Sequence, residues 1–141
     1  MELGTEMSVE LQMVLRLLLA AGLGGAIGYQ REKADKPAGL RTHILICLGA
    51  ALFTVASLYG FGLTADVSRV AAGVVVGVGF IGAGAIIRRD EGGIVAGLTT
   101  AATIWAVAAI GLAAGAGLYL VAGVTTAITL AVLFLPHHIR Q

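Results

Sequence analysis

A glycine-rich stretch is the first place where this sequence could carry out chemistry. Residues 74–84 read VVVGVGFIGAG, and Gly77, Gly79 and Gly82 fit the G-x-G-x-x-G pattern of dinucleotide-binding folds. In those folds an acidic residue about 20 positions later binds the ribose of the nucleotide. This chain has no acidic residue after Glu91, and apolar sequence flanks the glycines. We therefore expect the glycines to serve helix packing and not nucleotide binding.

Four arginines offer a second kind of chemistry, the binding of anions. Arg31 and Arg41 lie at the two ends of one polar stretch, and Arg88 and Arg89 begin another. Guanidinium groups hold phosphate and carboxylate oxygens through paired hydrogen bonds, so the four together could bind a lipid headgroup, a phosphate or an acidic partner helix. The alternative is a solvated loop that lies near lipid phosphates and only sets the orientation of the chain.

Three threonines open an apolar segment that reads GLTTAATIW. Thr99 and Thr103 are four residues apart, and Thr100 lies beside them. Hydroxyl groups in a helix either bond the preceding carbonyls of that helix or form a polar seam, here against the glycine-rich helix. Both interpretations stay open, and we expect Trp105 to pack between helices.

The sequence offers little to a metal ion or to catalysis. His43, His137 and His138 have no carboxylate cluster near them, and Mg²⁺ prefers oxygen ligands. No nucleophile–base pair accompanies them. We expect no metal site, no cofactor, no catalytic residue and no nucleic-acid partner.

The elements that must position these residues are membrane helices. Hydrophobic residues make up 58% of the 141 residues and charged residues 12%, whereas a soluble domain has about 25% charged residues. The charges fall in short clusters between long apolar runs, and about 20 apolar residues suffice to cross a bilayer. We predict an all-α fold and a single polytopic membrane domain, a bundle of five transmembrane helices at residues 11–29, 43–63, 70–87, 94–114 and 118–136.

The basic residues predict how the bundle is oriented. Lys and Arg favour cytoplasmic loops, and an N-out, C-in arrangement places seven of them inside and one outside. This arrangement puts the four arginines considered above on the cytoplasmic side. We expect a multi-pass protein with the lipid bilayer around it.

Small residues let helices approach closely in lipid. Glycines recur at four-residue spacing in three of the predicted spans, and the third span is rich in glycine. We expect the third span to be the central, most enclosed helix, although a glycine-rich helix can also break and line a site. The expected packing glycines are Gly24, Gly28, Gly73, Gly77, Gly79, Gly82, Gly111 and Gly115.

Arg16 is a charged residue well inside the first predicted span. It could pair with Asp66, which the topology places on the same outer side, or extend to the outer interface by itself. Asp66 could instead cap the third helix, where free N–H groups attract a carboxylate. The sequence leaves both possibilities open.

Three blocks of the sequence resemble the MgtC/SapB family of bacterial inner-membrane proteins. They read GLRTH, GFIGAGAIIR and GLTTAATIWAVAAIG, and the resemblance extends from about residue 22 to residue 120. It implies a five-helix membrane domain with a periplasmic N-terminus and a cytoplasmic C-terminus, and it gives Arg41 and Thr42 added weight as functional residues. Two positions depart from the family pattern, because Gln30 stands where a glutamate is usual and Gly73 where a glutamine is frequent.

The resemblance also implies a role. Family members take part in adaptation to low magnesium and, in some pathogens, in survival inside macrophages, and one relative restrains the F-type ATP synthase by binding its membrane sector. Longer relatives carry a cytoplasmic C-terminal domain, which we expect this chain to lack.

The residues and the resemblance together favour a non-enzymatic membrane regulator. We expect it to be linked to magnesium homeostasis, to bind other membrane proteins and to form a homo-oligomer, most simply a dimer. The alternative is a small oligomeric transporter or channel for an ion or a small solute. The predicted spans contain no Asp or Glu, which argues against a cation-coupled transporter.

Overall fold

The computed structural model describes residues 7–88 and 95–136, and these residues form five α-helices. Between α3 and α4 lie two antiparallel strands of two residues each, β1 Ile87–Arg88 and β2 Val95–Ala96. The all-α prediction is confirmed, and the helix ends differ from the predicted ones by a few residues. The helices are α1 Val9–Lys33, α2 Leu40–Tyr59, α3 Ser68–Gly84, α4 Leu98–Gly115 and α5 Tyr119–Leu133.

Three of these helices, α1, α2 and α4, are long and apolar enough to cross a membrane. The apolar helices α3 and α5 are shorter, with 17 and 15 residues. Large apolar side chains are exposed on the outside of the bundle, among them Val76, Leu120 and Phe80, the last of which is 86% exposed. A soluble protein rarely exposes so much apolar surface, so the helices and their surfaces identify a membrane protein.

The ends of the helices follow local sequence chemistry. Ser8 caps α1, because its hydroxyl accepts a hydrogen bond of 3.2 Å from the backbone N–H of Leu11. Arg31 lies in the last turn of α1, where a cation offsets the negative end of the helix dipole. Gly97 precedes α4 with a φ of 93°, and a Cβ there would clash with the Ala85 carbonyl. That contact fixes the first turn of α4 against the end of α3.

The core lies where α1, α2 and α4 meet. Ile27, Cys47, Val107 and Ile110 come from these three helices and are almost completely buried. A second cluster of smaller side chains joins α3 to α2 and α4. Half of the 18 residues of α4 are buried, which makes α4 the most enclosed helix.

The prediction that the third helix is central is wrong. The buried residues of α3 form one stripe, Val74, Val78 and Gly82, whose members are four residues apart and face the rest of the bundle. The remaining glycines of α3 lie off this stripe. The helix is also continuous over its whole length, so the broken-helix interpretation is wrong for this structure.

Three of the expected packing glycines have no contact to make. A Cβ added at Gly73, Gly77 or Gly79 would meet no atom of a neighbouring element within 4 Å. The packing prediction is therefore wrong for these three within the described chain. Gly82 differs, because a Cβ there would lie 3.4 Å from the carbonyl oxygen of Ala101 in α4.

Candidate functional site

Two glycines bring α1 and α2 into backbone contact. A Cβ at Gly24 would lie 2.6 Å from the Cβ of Cys47 and 2.7 Å from the carbonyl oxygen of His43. A Cβ at Gly28 would lie 2.8 Å from the Cα of Leu40. Real Cβ atoms essentially never approach other atoms below 3.0 Å, so only glycine fits at either position. The last turns of α1 therefore lie directly against the first turns of α2.

Two more glycines press α4 against the same face of α2. A Cβ at Gly111 would overlap the carbonyl group of Cys47, and one at Gly115 would lie 2.6 Å from the carbonyl oxygen of Ala51. His43, Cys47 and Ala51 are four residues apart, so one stripe of α2 receives both glycine pairs. Close contact through small residues is how apolar helices associate in lipid.

These contacts bring together polar side chains from three helices. Arg31 of α1 is only 3% exposed, and its Nη2 donates a hydrogen bond to the hydroxyl of Thr100 in the first turn of α4. His43, in the first turn of α2, is fully buried, and its Nδ1 donates to the Gly39 carbonyl over 2.8 Å. His43 packs against α1, because a Cβ added at Gly28 would lie 3.0 Å from the Cβ of His43. We call Arg31, His43 and Thr100 the Arg31 cluster.

Polar atoms at the Arg31 cluster lack hydrogen-bond partners among the described residues. Arg31 Nε and His43 Nε2 are buried and have no hydrogen-bond partner among the described residues, and the same holds for Oε1 of the neighbouring Gln30. An unpaired buried polar atom costs about 1–3 kcal/mol, and a buried charge without an opposite charge costs more. Arg31 is the only charged side chain that is buried in residues 7–86 and 95–136. In native proteins, buried polar groups without partners occur mainly at functional positions. The Arg31 cluster is therefore the candidate site.

Comparison with known proteins assigns the chain to a family. The model of the MgtC family matches residues 17–141, a range that includes the whole Arg31 cluster. The chain belongs to the MgtC family. The resemblance seen in the sequence blocks is thereby confirmed.

Several relatives of this MgtC-family chain are similar over most of its length. YhiD of Escherichia coli (strain K12) is 47% identical over 135 residues, which cover 91% of this chain and 62% of YhiD. SapB of Bacillus subtilis (strain 168) is 37% identical over 141 residues, covering 94% of this chain and 60% of SapB. MgtC of Brucella abortus (strain 2308) is 48% identical over 110 residues, covering 78% of this chain and 45% of that protein. The chain spans less than two thirds of the length of each of these relatives, and no solved structure matches it significantly.

The structure describes the side chains of two of the four predicted arginines in this MgtC-family chain. Arg31 is buried, whereas Arg41 and Thr42 are exposed on α2. The backbone of Arg88 belongs to β1, but its side chain and all of Arg89 lie outside the described residues. Arg31 and Arg41 therefore lie in different settings, and anion binding by the four arginines together stays a prediction.

The spacing along each helix explains why only one of the two arginines turns inward. Arg31 follows Gly24 by seven residues and Gly28 by three, so all three lie on one face of α1. Arg41 precedes the inward-facing His43 by two residues, which places it about 200° away around α2. The seven-residue spacing from Gly24 was the sequence signal that could have distinguished Arg31 from Arg41.

The three threonines of α4 lie in three different settings. Thr100 bonds Arg31 across a helix interface, Thr103 donates to the Thr99 carbonyl one turn back over 2.6 Å, and the Thr99 side chain is exposed. Both predicted kinds of hydroxyl bond occur, but the bond between helices reaches α1 and not the glycine-rich α3. Trp105 is 55% exposed, so the prediction that it packs between helices is wrong.

Arg16 does not pair with Asp66, so the pairing alternative is wrong. Arg16 Nη1 donates to the Gly115 carbonyl over 2.9 Å, and its Nε donates to the Tyr119 hydroxyl over 3.1 Å. Its guanidinium also lies 5.4 Å from the centre of the Tyr59 ring, within cation–π range. Arg16 therefore binds at the C-terminal end of α4, where a cation meets the negative end of the helix dipole.

Asp66 stabilises the start of α3 instead. Its Oδ1 accepts hydrogen bonds from the backbone N–H and the hydroxyl of Ser68, over 3.0 Å and 2.6 Å. Because these bonds favour the ionised carboxylate, they lower the pKa of Asp66 below its usual value. This is the capping alternative, with Asp66 two residues before the first residue of the helix.

Proposed function

We propose that this chain is the membrane domain of a non-enzymatic regulator in the bacterial inner membrane. It acts in adaptation to low magnesium by binding another membrane protein, and the membrane sector of the F-type ATP synthase is the first candidate partner. Membership of the MgtC family supports the link to magnesium, since the relative YhiD carries a name that refers to magnesium transport.

The main support for the proposal is that α1, α2 and α4 pack closely together and bury the positively charged side chain of Arg31. The backbones of α1 and α4 touch α2 at four glycines, and no further atom fits between them at those points. The buried charge between the same three helices is the guanidinium of Arg31, which repels a divalent cation. Both features favour a protein that binds partners over one that conducts Mg²⁺ through its interior.

The proposal includes five crossings of the bilayer in an N-out, C-in orientation. α3 and α5 are about 25 Å and 22 Å long, somewhat shorter than a hydrocarbon core of about 30 Å. Thinning of the bilayer and extension of flanking side chains accommodate such a mismatch at a small cost. In this orientation the Arg31 cluster lies toward the cytoplasmic surface and Arg16 toward the outer surface.

Reconstitution of the purified chain tests regulation against transport. Liposomes that contain the chain are assayed for Mg²⁺, proton and anion flux, with protein-free liposomes as the control. We expect no flux above the control. Clear flux would contradict the proposal and establish the alternative, a small oligomeric transporter or channel, which the name of YhiD favours.

A binding experiment tests the proposed partner. The immobilised chain is presented with the purified membrane sector of an F-type ATP synthase in detergent, and an unrelated membrane protein of similar size serves as the control. We expect retention of the ATP synthase sector alone. Equal retention of both proteins, or of neither, would remove this partner from the proposal.

We also propose that the chain forms a homo-oligomer, most simply a dimer. A bundle of five helices leaves much apolar surface uncovered, and several of the exposed side chains are large. The detergent-corrected mass from light scattering measures the number of chains directly. A mass equal to one chain would contradict this expectation.

A further inference from the structure

An apolar groove runs between α2 and α3 on the outside of the bundle. Its volume is about 670 Å³, and apolar side chains such as Phe53 and Ile81 line it. Gly49, Gly73 and Gly77 also line it, and a Cβ at any of these three would meet no atom of a neighbouring element within 4 Å. The wall of the groove is therefore bare backbone in part, with free space in front of it.

A polar pocket of about 450 Å³ continues this groove at one end. Val70 lines both spaces, and Ser57 of the polar pocket follows Phe53 of the groove by one turn of α2. Asp66 and Arg69 line the polar pocket, and no ion pair joins them or any other described residues. The pocket therefore presents one anion and one cation beside the apolar groove.

The length of the groove limits what can occupy it. Val70 and Ile81 mark its two ends on α3, and eleven residues of helix span about 16 Å. That length is about half of the hydrocarbon core of about 30 Å, which is the depth of one leaflet. A helix of a second copy would cross both leaflets, whereas an acyl chain occupies one leaflet and ends at a polar headgroup.

We propose that this groove binds one phospholipid with a zwitterionic headgroup that carries a primary ammonium. The acyl chain lies along Gly73 and Gly77, the phosphate accepts hydrogen bonds from Arg69, and the ammonium donates to Asp66. An anionic headgroup without an ammonium satisfies Arg69 but meets the like charge of Asp66. The pair of opposite charges therefore selects phosphatidylethanolamine over phosphatidylglycerol.

Native mass spectrometry of the full chain tests this proposal. The chain is extracted from vesicles of equal parts phosphatidylethanolamine and phosphatidylglycerol, and the lipids retained on each chain are counted. We expect one retained phosphatidylethanolamine. Gly77→Leu fills the groove and should lower retention about tenfold, which corresponds to about 1.4 kcal/mol. Gly79→Leu is the matched control, because Gly79 is equally open on the same helix but does not line the groove.

Two variants in the polar pocket test the headgroup separately from the groove. Arg69→Gln should lower the retention of both lipids, and Asp66→Asn should abolish the preference for phosphatidylethanolamine while retaining the bond to Ser68. Both residues are exposed, so these variants remain informative if Gly77→Leu fails to fold.

Three results would overturn the proposal. Equal lipid retention by the Gly77 and Gly79 variants would show that the lipid binds the outside of the bundle without using the groove. The absence of a preference between the two lipids in the unaltered chain would show the same. A loss of dimer mass in Gly77→Leu with unchanged lipid retention would assign the groove to a second copy.

Discussion

The bond between Arg31 and Thr100 is the contact on which the candidate site depends most directly. Thr100→Val keeps the shape of the side chain but removes the acceptor of Arg31 Nη2. We expect the free energy of unfolding to fall by about 1–3 kcal/mol, because a buried charged group loses its hydrogen bond. Thr100→Ser should keep most of the stability, since its hydroxyl can still accept.

Thr99→Val is the matched control for this prediction, because Thr99 is the neighbouring residue and its side chain is exposed. Unfolding of the purified chains in mixed micelles, followed by circular dichroism, gives the free energies. Equal losses in the Thr99 and Thr100 variants would show that the bond to Arg31 contributes nothing measurable.

Arg16 and Asp66 should behave as independent residues. Arg16→Gln removes two hydrogen bonds and the contact with Tyr59, and we expect a loss of about 1–2 kcal/mol in the free energy of unfolding. Asp66→Asn should cost little, since an amide oxygen can still accept from Ser68. Because the two side chains do not touch, the double variant should show the sum of the single effects. A coupling energy above about 0.5 kcal/mol would show that the two side chains interact, as the ion-pair hypothesis requires.

Among the helices, glycine contacts decide how closely α4 approaches α2. Gly111→Ala places a methyl group against the Cys47 carbonyl, and we expect a loss of about 1–3 kcal/mol in stability from overpacking. Gly79→Ala should be neutral or stabilising, because the position is open and alanine favours the helix by about 1 kcal/mol. Thermal unfolding of both variants measures the difference, and changes of the same sign and size would contradict the assigned packing.

The same contrast shows how far a sequence can predict this fold. The helices could be located because the bilayer fixes the length of apolar chain that must lie between charges. The four-residue spacing of glycines could not reveal which pairs pack, because it places both glycines on one face without saying what that face meets. Gly73 and Gly77 share the spacing of Gly111 and Gly115, yet only the second pair touches another backbone.

The candidate site was predictable in part for a related reason. The sequence predicts Arg31 as an arginine of a polar loop and Thr100 as a hydroxyl that opens the fourth span. Their hydrogen bond depends on the approach of α1 to α4, which has no signature in either segment. The sequence presents His43 only as a weak metal ligand, although the structure packs it against Gly28, three residues before Arg31. Nothing in the local sequence of α2 indicates that His43, alone in its first turn, is buried.

For the molecule as a whole, the orientation can be measured with single added cysteines. The native Cys47 is the chain's only cysteine and is fully buried, so it gives little background labelling. Lys36 and Thr64 are exposed, and the proposed topology places them on opposite sides of the membrane. We expect a membrane-impermeant maleimide to label Thr64→Cys but not Lys36→Cys in intact spheroplasts, and to label both after permeabilisation. Labelling of Lys36→Cys alone in intact spheroplasts would contradict the N-out, C-in arrangement.

The shared stripe on α2 predicts an order in which the helices assemble during synthesis. Gly24 and Gly28 are translated before α2, so α1 and α2 can close into a hairpin as soon as both have entered the bilayer. Gly111 and Gly115 leave the ribosome only after α3, and until then half of the stripe has no partner. We expect the hairpin of α1 and α2 to form first and α4 then to cover the rest of the stripe, before α5 packs against α4 and α1.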